Sequence, residues 1–164
     1  MKRLNLILVL VSCLLFMAGG AFAQTDTETL TINATVSARA KLTMNPTTIN
    51  FPDADPDDFP LIDATENPVD VESKVRTTGT ATLTCQANGD LISGGDSIAI
   101  SNVTWTATGG GYQAGTMSSA TPQTAGSFVG SGEYDGTFSY QLANSWAYEV
   151  GNYSQTVTYT LTAP

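Results

Sequence analysis

Four carboxylates crowd one short stretch of this chain. Asp53, Asp55, Asp57 and Asp58 lie within Phe51–Pro60, which reads FPDADPDDFP, and Asp63 and Glu66 follow closely. Calcium takes several oxygen ligands at once, and alternate aspartates on one loop can converge on a single ion. The stretch is therefore read as a calcium site or, more plainly, as a solvated acidic turn. It lacks the glycine that bends an EF-hand loop and the glutamate that closes one. Pro52, Pro56 and Pro60 each impose a backbone angle of their own.

The second chemistry on offer is stacking. Tyr112 and Tyr134 stand in glycine-rich surroundings and are expected at the surface, where aromatic faces can hold a sugar ring. Trp105, Tyr140 and Tyr159 fall on alternating faces and are expected in the core; Trp146, Tyr148 and Tyr153 belong to the same aromatic set. Bond-making chemistry finds little support. The chain has no His, and a cysteine nucleophile usually relies on one. No serine nucleophile elbow or metal-type cysteine cluster is present, so the chain is read as a non-enzyme without a cofactor unless calcium binds. Cys85 shares the inward face of Ala81 and Leu83 and is expected to be a buried structural thiol.

The elements that would position these groups begin after a leader. In MKRLNLILVLVSCLLFMAGGAFA, Lys2 and Arg3 precede an apolar run, and Ala21-Phe22-Ala23 has the small-x-small pattern of a cleavage site. Residues 1–23 are read as a bacterial secretory signal peptide and 24–164 as one exported domain, secreted to the periplasm, cell surface or exterior. Two alternatives exist. Leu10-Val11-Ser12-Cys13 resembles a lipoprotein box, and Leu4–Ala23 has about the 20 residues that span a bilayer. With cleavage, no stable membrane insertion is expected. The full chain carries a net charge of −9, which becomes −11 once Lys2 and Arg3 leave with the leader. Such a surface argues against nucleic-acid partners, which require Lys and Arg for phosphate.

Period-2 alternation dominates the chain beyond the leader, as half-buried strands require. It predicts strands at Leu30–Ala38, Lys41–Met44, Val69–Val75, Ala81–Cys85, Val103–Ala107, Phe138–Leu142 and Tyr153–Thr162. Asn88-Gly89-Asp90 is a turn signal, and Thr108–Gly126 reads as a long loop or irregular edge. This pattern predicts an all-β, Ig-like antiparallel β-sandwich of about seven to nine strands, with an outer-membrane barrel as the runner-up.

Two stretches carry a family likeness. LTINATVSARAKLTMNPTTINF resembles the opening of bacterial exported surface and pilin-like β-sandwich proteins. GNYSQTVTYTLTAP resembles the closing strand of WxL-type surface domains, with Gly151, Tyr153, Val157, Tyr159 and Leu161 on the pattern. The resemblance implies a cell-surface structural protein, although the Trp-x-Leu tripeptide itself is absent. It also gives the first alternating run two readings. Leu30, Ile32, Ala34, Val36 and Ala38 are either the inward face of this domain's own first strand, or a segment that completes a neighbour's sheet by β-strand addition. The expected partners are accordingly other copies of the chain or other envelope proteins.

Overall fold

The structure, a computed structural model, describes residues 24–164; the leader read in residues 1–23 lies outside them. The described residues fall into two units, divided between Thr35 and Val36. Of the first, residues 24–35 are described and have no regular secondary structure. The second holds eleven strands: β1 (Arg39–Asn45), β2 (Leu61–Asp63), β3 (Val69–Arg76), β4 (Thr80–Ala87), β5 (Leu91–Ser93), β6 (Asp96–Ile98), β7 (Val103–Thr108), β8 (Gly115–Thr116), β9 (Gln123–Val129), β10 (Gly132–Ala143) and β11 (Val157–Thr162).

The strands form an antiparallel all-β sandwich. One sheet runs β1-β3-β10-β7-β8, with β2 also paired to β10; the other runs β11-β4-β9, and β5 and β6 make a separate hairpin. Alternation decides which face each strand buries. Val69, Val71, Ser73 and Val75 of β3 turn inward, as do Ala81, Leu83, Cys85 and Ala87 of β4, while their neighbours face water or lie at intermediate depth. Phe138, Tyr140 and Leu142 of β10 and Trp105 of β7 complete the inner face of the larger sheet. Asn67 fills a gap in that sheet between β2 and β3. Its Nδ2 donates to the Tyr140 carbonyl at 2.8 Å, and its Oδ1 accepts the Tyr140 N–H at 2.8 Å.

Rings join the two layers. Tyr159 of β11 stacks on Phe138 at 6.0 Å between centroids, and its hydroxyl shares a 2.9 Å hydrogen bond with that of Tyr140. Phe128 of β9 meets Tyr112 edge-on at 5.0 Å and Tyr134 at 4.6 Å.

Two expectations change. Thr108–Gly126, read as loop, ends inside β9, a seven-residue strand that pairs with β4. The register slips at Leu83/Thr84, which leaves Ala125 as an extra residue on β9. Ala125 and Gly126 are consequently both buried, and the bulge erases the alternation that would have announced the strand. Conversely, Leu30–Ala38 alternates cleanly yet forms no strand; regular structure starts at Arg39.

Burial leaves a pH signature in the core. Desolvation pushes the Cys85 thiol up to about 11, against a hydrogen bond with Tyr159 that lowers it. It pushes Tyr140 up to about 12 and raises Tyr159 as well. The folded state thus keeps protons that the unfolded chain releases from pH 9 to 10 upward, so the associated stability is intact below that range and lost as pH rises toward 12. The urea midpoint is expected to hold steady to about pH 9 and fall from there to pH 11.5, with Cys85→Ala flattening the early part of the decline. A midpoint constant to pH 11.5 would contradict these shifts.

Candidate functional site

The acidic stretch forms a built turn. The Asp55 carbonyl accepts the Phe59 N–H at 2.8 Å, and Asp55 Oδ1 accepts the Asp57 N–H at 2.9 Å. Such local side-chain capture is what aspartate does in turns. Asn144, just past β10, anchors the turn by donating Nδ2 to the carbonyls of Ala54 at 2.9 Å and Phe59 at 3.1 Å. Trp146 adds a third tie, its Nε1–H donated to Asp57 Oδ1 at 3.1 Å.

This arrangement does not gather the four carboxylates into one ligand set. Asp53, Asp55, Asp57 and Asp58 are all exposed, and two of them spend a carboxylate oxygen on the turn and on the indole. Among the described residues, no three carboxylate or thiol side chains stand close enough to share a cation. Glu66, the nearby acid, is held below the ordinary carboxylate range by Asn50. It accepts the Asn50 side-chain amide at 2.7 Å and its backbone N–H at 2.6 Å.

The sugar platform is corrected too. Tyr112 is buried, 8% exposed. Its hydroxyl donates to the Tyr134 carbonyl at 2.7 Å and lies 3.0 Å from Ser73 Oγ. The glycine-rich context that suggested exposure does the opposite work. Gly111 has φ +90° and abuts Phe128, and a Cβ on Gly136 would run into the Tyr112 ring. The glycines make room for two rings, Phe128 at Gly111 and Tyr112 at Gly136. Tyr134 is half-buried against Phe128, with its hydroxyl donated to the Val129 carbonyl at 2.9 Å. The most exposed aromatic among the described residues is instead Trp146, 70% accessible, and Phe59 and Leu61 are exposed as well. Its signal in the sequence was position: Asn144-Ser145-Trp146 directly follows an alternating run.

Cys85 is a free thiol inside the core, as its inward face required. The cations gather in one place. Arg39 lies opposite Arg76 and Lys41 opposite Lys74 on β1 and β3, and these four are all the Lys and Arg outside the leader. Only Lys74 has acidic partners among the described residues, Glu72 at 3.0 Å and Glu133 at 3.3 Å. A shallow cleft of about 310 Å³ between Asp90, Thr116, Ser118 and Gln123 offers hydroxyls. Its one carboxylate already accepts the Ile100 N–H at 2.9 Å.

The segment Leu30–Ala38 remains. Leu30, Ile32 and Val36 are 82%, 83% and 70% exposed, and among the described residues no strand pairs with them. No protein-family model matches the chain, and no curated protein matches it either.

The acidic turn yields a direct test. Millimolar calcium is expected to leave Tm where a chelator leaves it, because a ligand raises stability only if it binds the native state. Asn144→Ala, by contrast, is expected to cost roughly 1–2 kcal/mol through the carbonyls it abandons. A calcium-dependent rise in Tm would restore the metal site.

Proposed function

We propose that this chain is an exported structural or interaction protein of the bacterial cell envelope or exterior, a surface or filament subunit that joins its neighbours by β-strand addition. One observation carries the reading. A nine-residue alternating segment, Leu30–Ala38, presents its apolar residues to water while a complete-looking strand pattern goes unused. Single exposed hydrophobics are ordinary, but a run of them on one face marks an interaction site.

Magnitudes agree with that use. Burying a Leu, Ile or Val side chain is worth about 1.5–3 kcal/mol, so the comb offers several kcal/mol. Association costs on the order of 4–15 kcal/mol. Main-chain hydrogen bonds along a strand roughly 30 Å long supply the remainder, at about 0.5–1.5 kcal/mol each. The leader pattern and the weak likeness to pilin-like and WxL-type surface proteins support export and a structural role.

The chain, expressed with its own leader, is expected to form concentration-dependent oligomers in light scattering. Ile32→Asp with Val36→Asp should abolish them and leave Tm within about 1 °C, since exposed positions change stability little. A wild-type chain that stays monomeric throughout the concentration series would refute the reading.

A second reading, a carbohydrate-binding module, rests on Trp146 alone, an exposed indole oriented by Asp57. Trp105 is the other tryptophan and is buried, so a change in emission on adding soluble wall glycan reports on Trp146. Loss of that change in Trp146→Ala would favour this reading, and an unresponsive wild-type spectrum would dismiss it.

A further inference from the structure

We infer that the outer face of the larger sheet is a self-complementary contact surface, and that its partner is the same face of a second copy of this chain turned end for end. Every residue involved lies on β1, β3 or β10, and none takes part in strand addition.

The pleat sends Val69, Val71, Ser73 and Val75 of β3 inward, so Asp70, Glu72, Lys74 and Arg76 stand on the outer face. Register puts their charged neighbours beside them. On β1, Arg39 lies opposite Arg76 and Lys41 opposite Lys74. On β10, Glu133 lies opposite Lys74 and Asp135 opposite Glu72. Read along the strands, these make four rows: Arg39–Arg76, Lys41–Lys74–Glu133, Glu72–Asp135, and Asp70 by itself. Arg39, Lys41, Asp70, Arg76, Glu133 and Asp135 are exposed, and Glu72 and Lys74 are partly so. Among the described residues, the ion pairs of this face are internal, Lys74 with Glu72 at 3.0 Å and with Glu133 at 3.3 Å.

The charges on this face are segregated. Opposite charges set directly across a strand pair stabilise it, and like charges destabilise it. The face takes the unfavourable choice three times, at Arg39–Arg76, Lys41–Lys74 and Glu72–Asp135. Arg39 and Lys41 guard the β1 edge, but β3 lies between β1 and β10, and Lys74 and Arg76 guard no edge there. Segregation makes the face bipolar. Its first two rows hold four cations against one acid, a net charge of +3, and its last two hold three acids, a net charge of −3. The face therefore sums to zero in a chain of net charge −9. These four cations are also all the Lys and Arg outside the leader, so no other region outside it offers a side-chain cation to a second copy's acids.

A two-fold axis lying between the two faces and slanting across the strands sets the basic half of each copy over the acidic half of the other. Arg39, Arg76 and Lys41 then meet the second copy's Asp70, Asp135 and Glu72, while Lys74 and Glu133 keep each other. Both copies use one patch, as a two-fold contact requires. Rows are spaced about 6.7 Å and strands about 4.8 Å, so the charged area measures roughly 20 by 10 Å between backbone positions. Contacts of that size are weak and transient, and exposed ion pairs add little each. The pairing therefore belongs to concentrated solution and to copies crowded on a surface, where effective concentration is high, and it leaves the dilute oligomer test of strand addition undisturbed.

A charge swap tests this on the full chain expressed with its own leader, with Ile32→Ser and Val36→Ser in every form so that strand addition contributes no oligomers. One form adds Arg39→Glu and Arg76→Glu, and another adds Asp70→Lys and Asp135→Lys. Sedimentation equilibrium is run at about 1 mM protein, the regime of weak contacts. In about 0.1 M salt the Debye length is near 10 Å, which screens the bodies of two acidic copies from each other but not touching charges. There the parent form should dimerise, and in about 1 M salt, where that length is near 3 Å, it should not. Each swapped form should dimerise about tenfold more weakly, and an equal mixture of the two should recover the parent's affinity as a heterodimer. Net charge by itself makes the opposite forecast for the Asp70→Lys, Asp135→Lys form, which is less negative than the parent. A monomeric parent, swapped forms that dimerise like the parent, or a mixture as weak as its components would each overturn the face contact. None of these outcomes touches strand addition, which is tested with Ile32 and Val36 intact.

Discussion

Phe138 is the contact on which the sandwich depends. It is fully buried on β10, and four rings surround it: Trp105 at 6.5 Å, Tyr112 at 5.7 Å, Tyr140 at 6.3 Å and Tyr159 at 6.0 Å. These rings come from β7, the loop after β7, β10 itself and β11. Offset and edge-on pairs of this kind contribute about 0.5–1.5 kcal/mol each beyond their burial. The cluster thus ties the larger sheet to the smaller one at its edge strand. Tyr159 explains how β11 stays in place with one side open: the Phe138 stack, the Tyr140 hydroxyl and the ladder to β4 hold it from within. A sheet edge can be both firmly seated and unfilled when its anchor is a side chain and its vacancy is backbone.

Alternation made β3, β4, β7, β10 and β11 legible because each buries one face, and a period of two is the direct trace of that burial. It failed in two instructive places. At β9 the extra residue Ala125 shifts the phase, so the strand has no single period to read. At Leu30–Ala38 the period is perfect and the described residues form no strand there. A two-faced pattern reports that a segment is built to lie between a core and water. It carries no information about whose core that is, because the pairing partner enters only through the register and closure of the whole sandwich.

The candidate sites were legible as composition and misleading as geometry. Three aspartates at alternate positions, with Asp58 beside them, resemble a ligand set, but Asp55 and Asp57 each give one oxygen to the turn and to Trp146. Glycines around Tyr112 resemble a flexible surface loop, but Gly136 leaves room for the Tyr112 ring and Gly111 for that of Phe128. In both cases the same residue type serves opposite ends. Short polar and side-chain-free residues either reach solvent or allow something larger to approach the backbone, and only the long-range packing of β3 and β10 against the segment after β7 selects between them.

Charge placement ties the edge and the surface together. The four cations outside the leader are spent on β1 and β3, with like charges set opposite each other at Arg39–Arg76 and Lys41–Lys74, an arrangement that costs stability in a strand pair. Glu72 and Glu133 offset part of that cost at Lys74. Arg39 and Lys41 on the edge strand discourage pairing there, and the absence of charge from β11 leaves that edge as the one the chain does not defend. The stability given up at β1 makes physical sense as the cost of an edge strand that resists pairing on its open side.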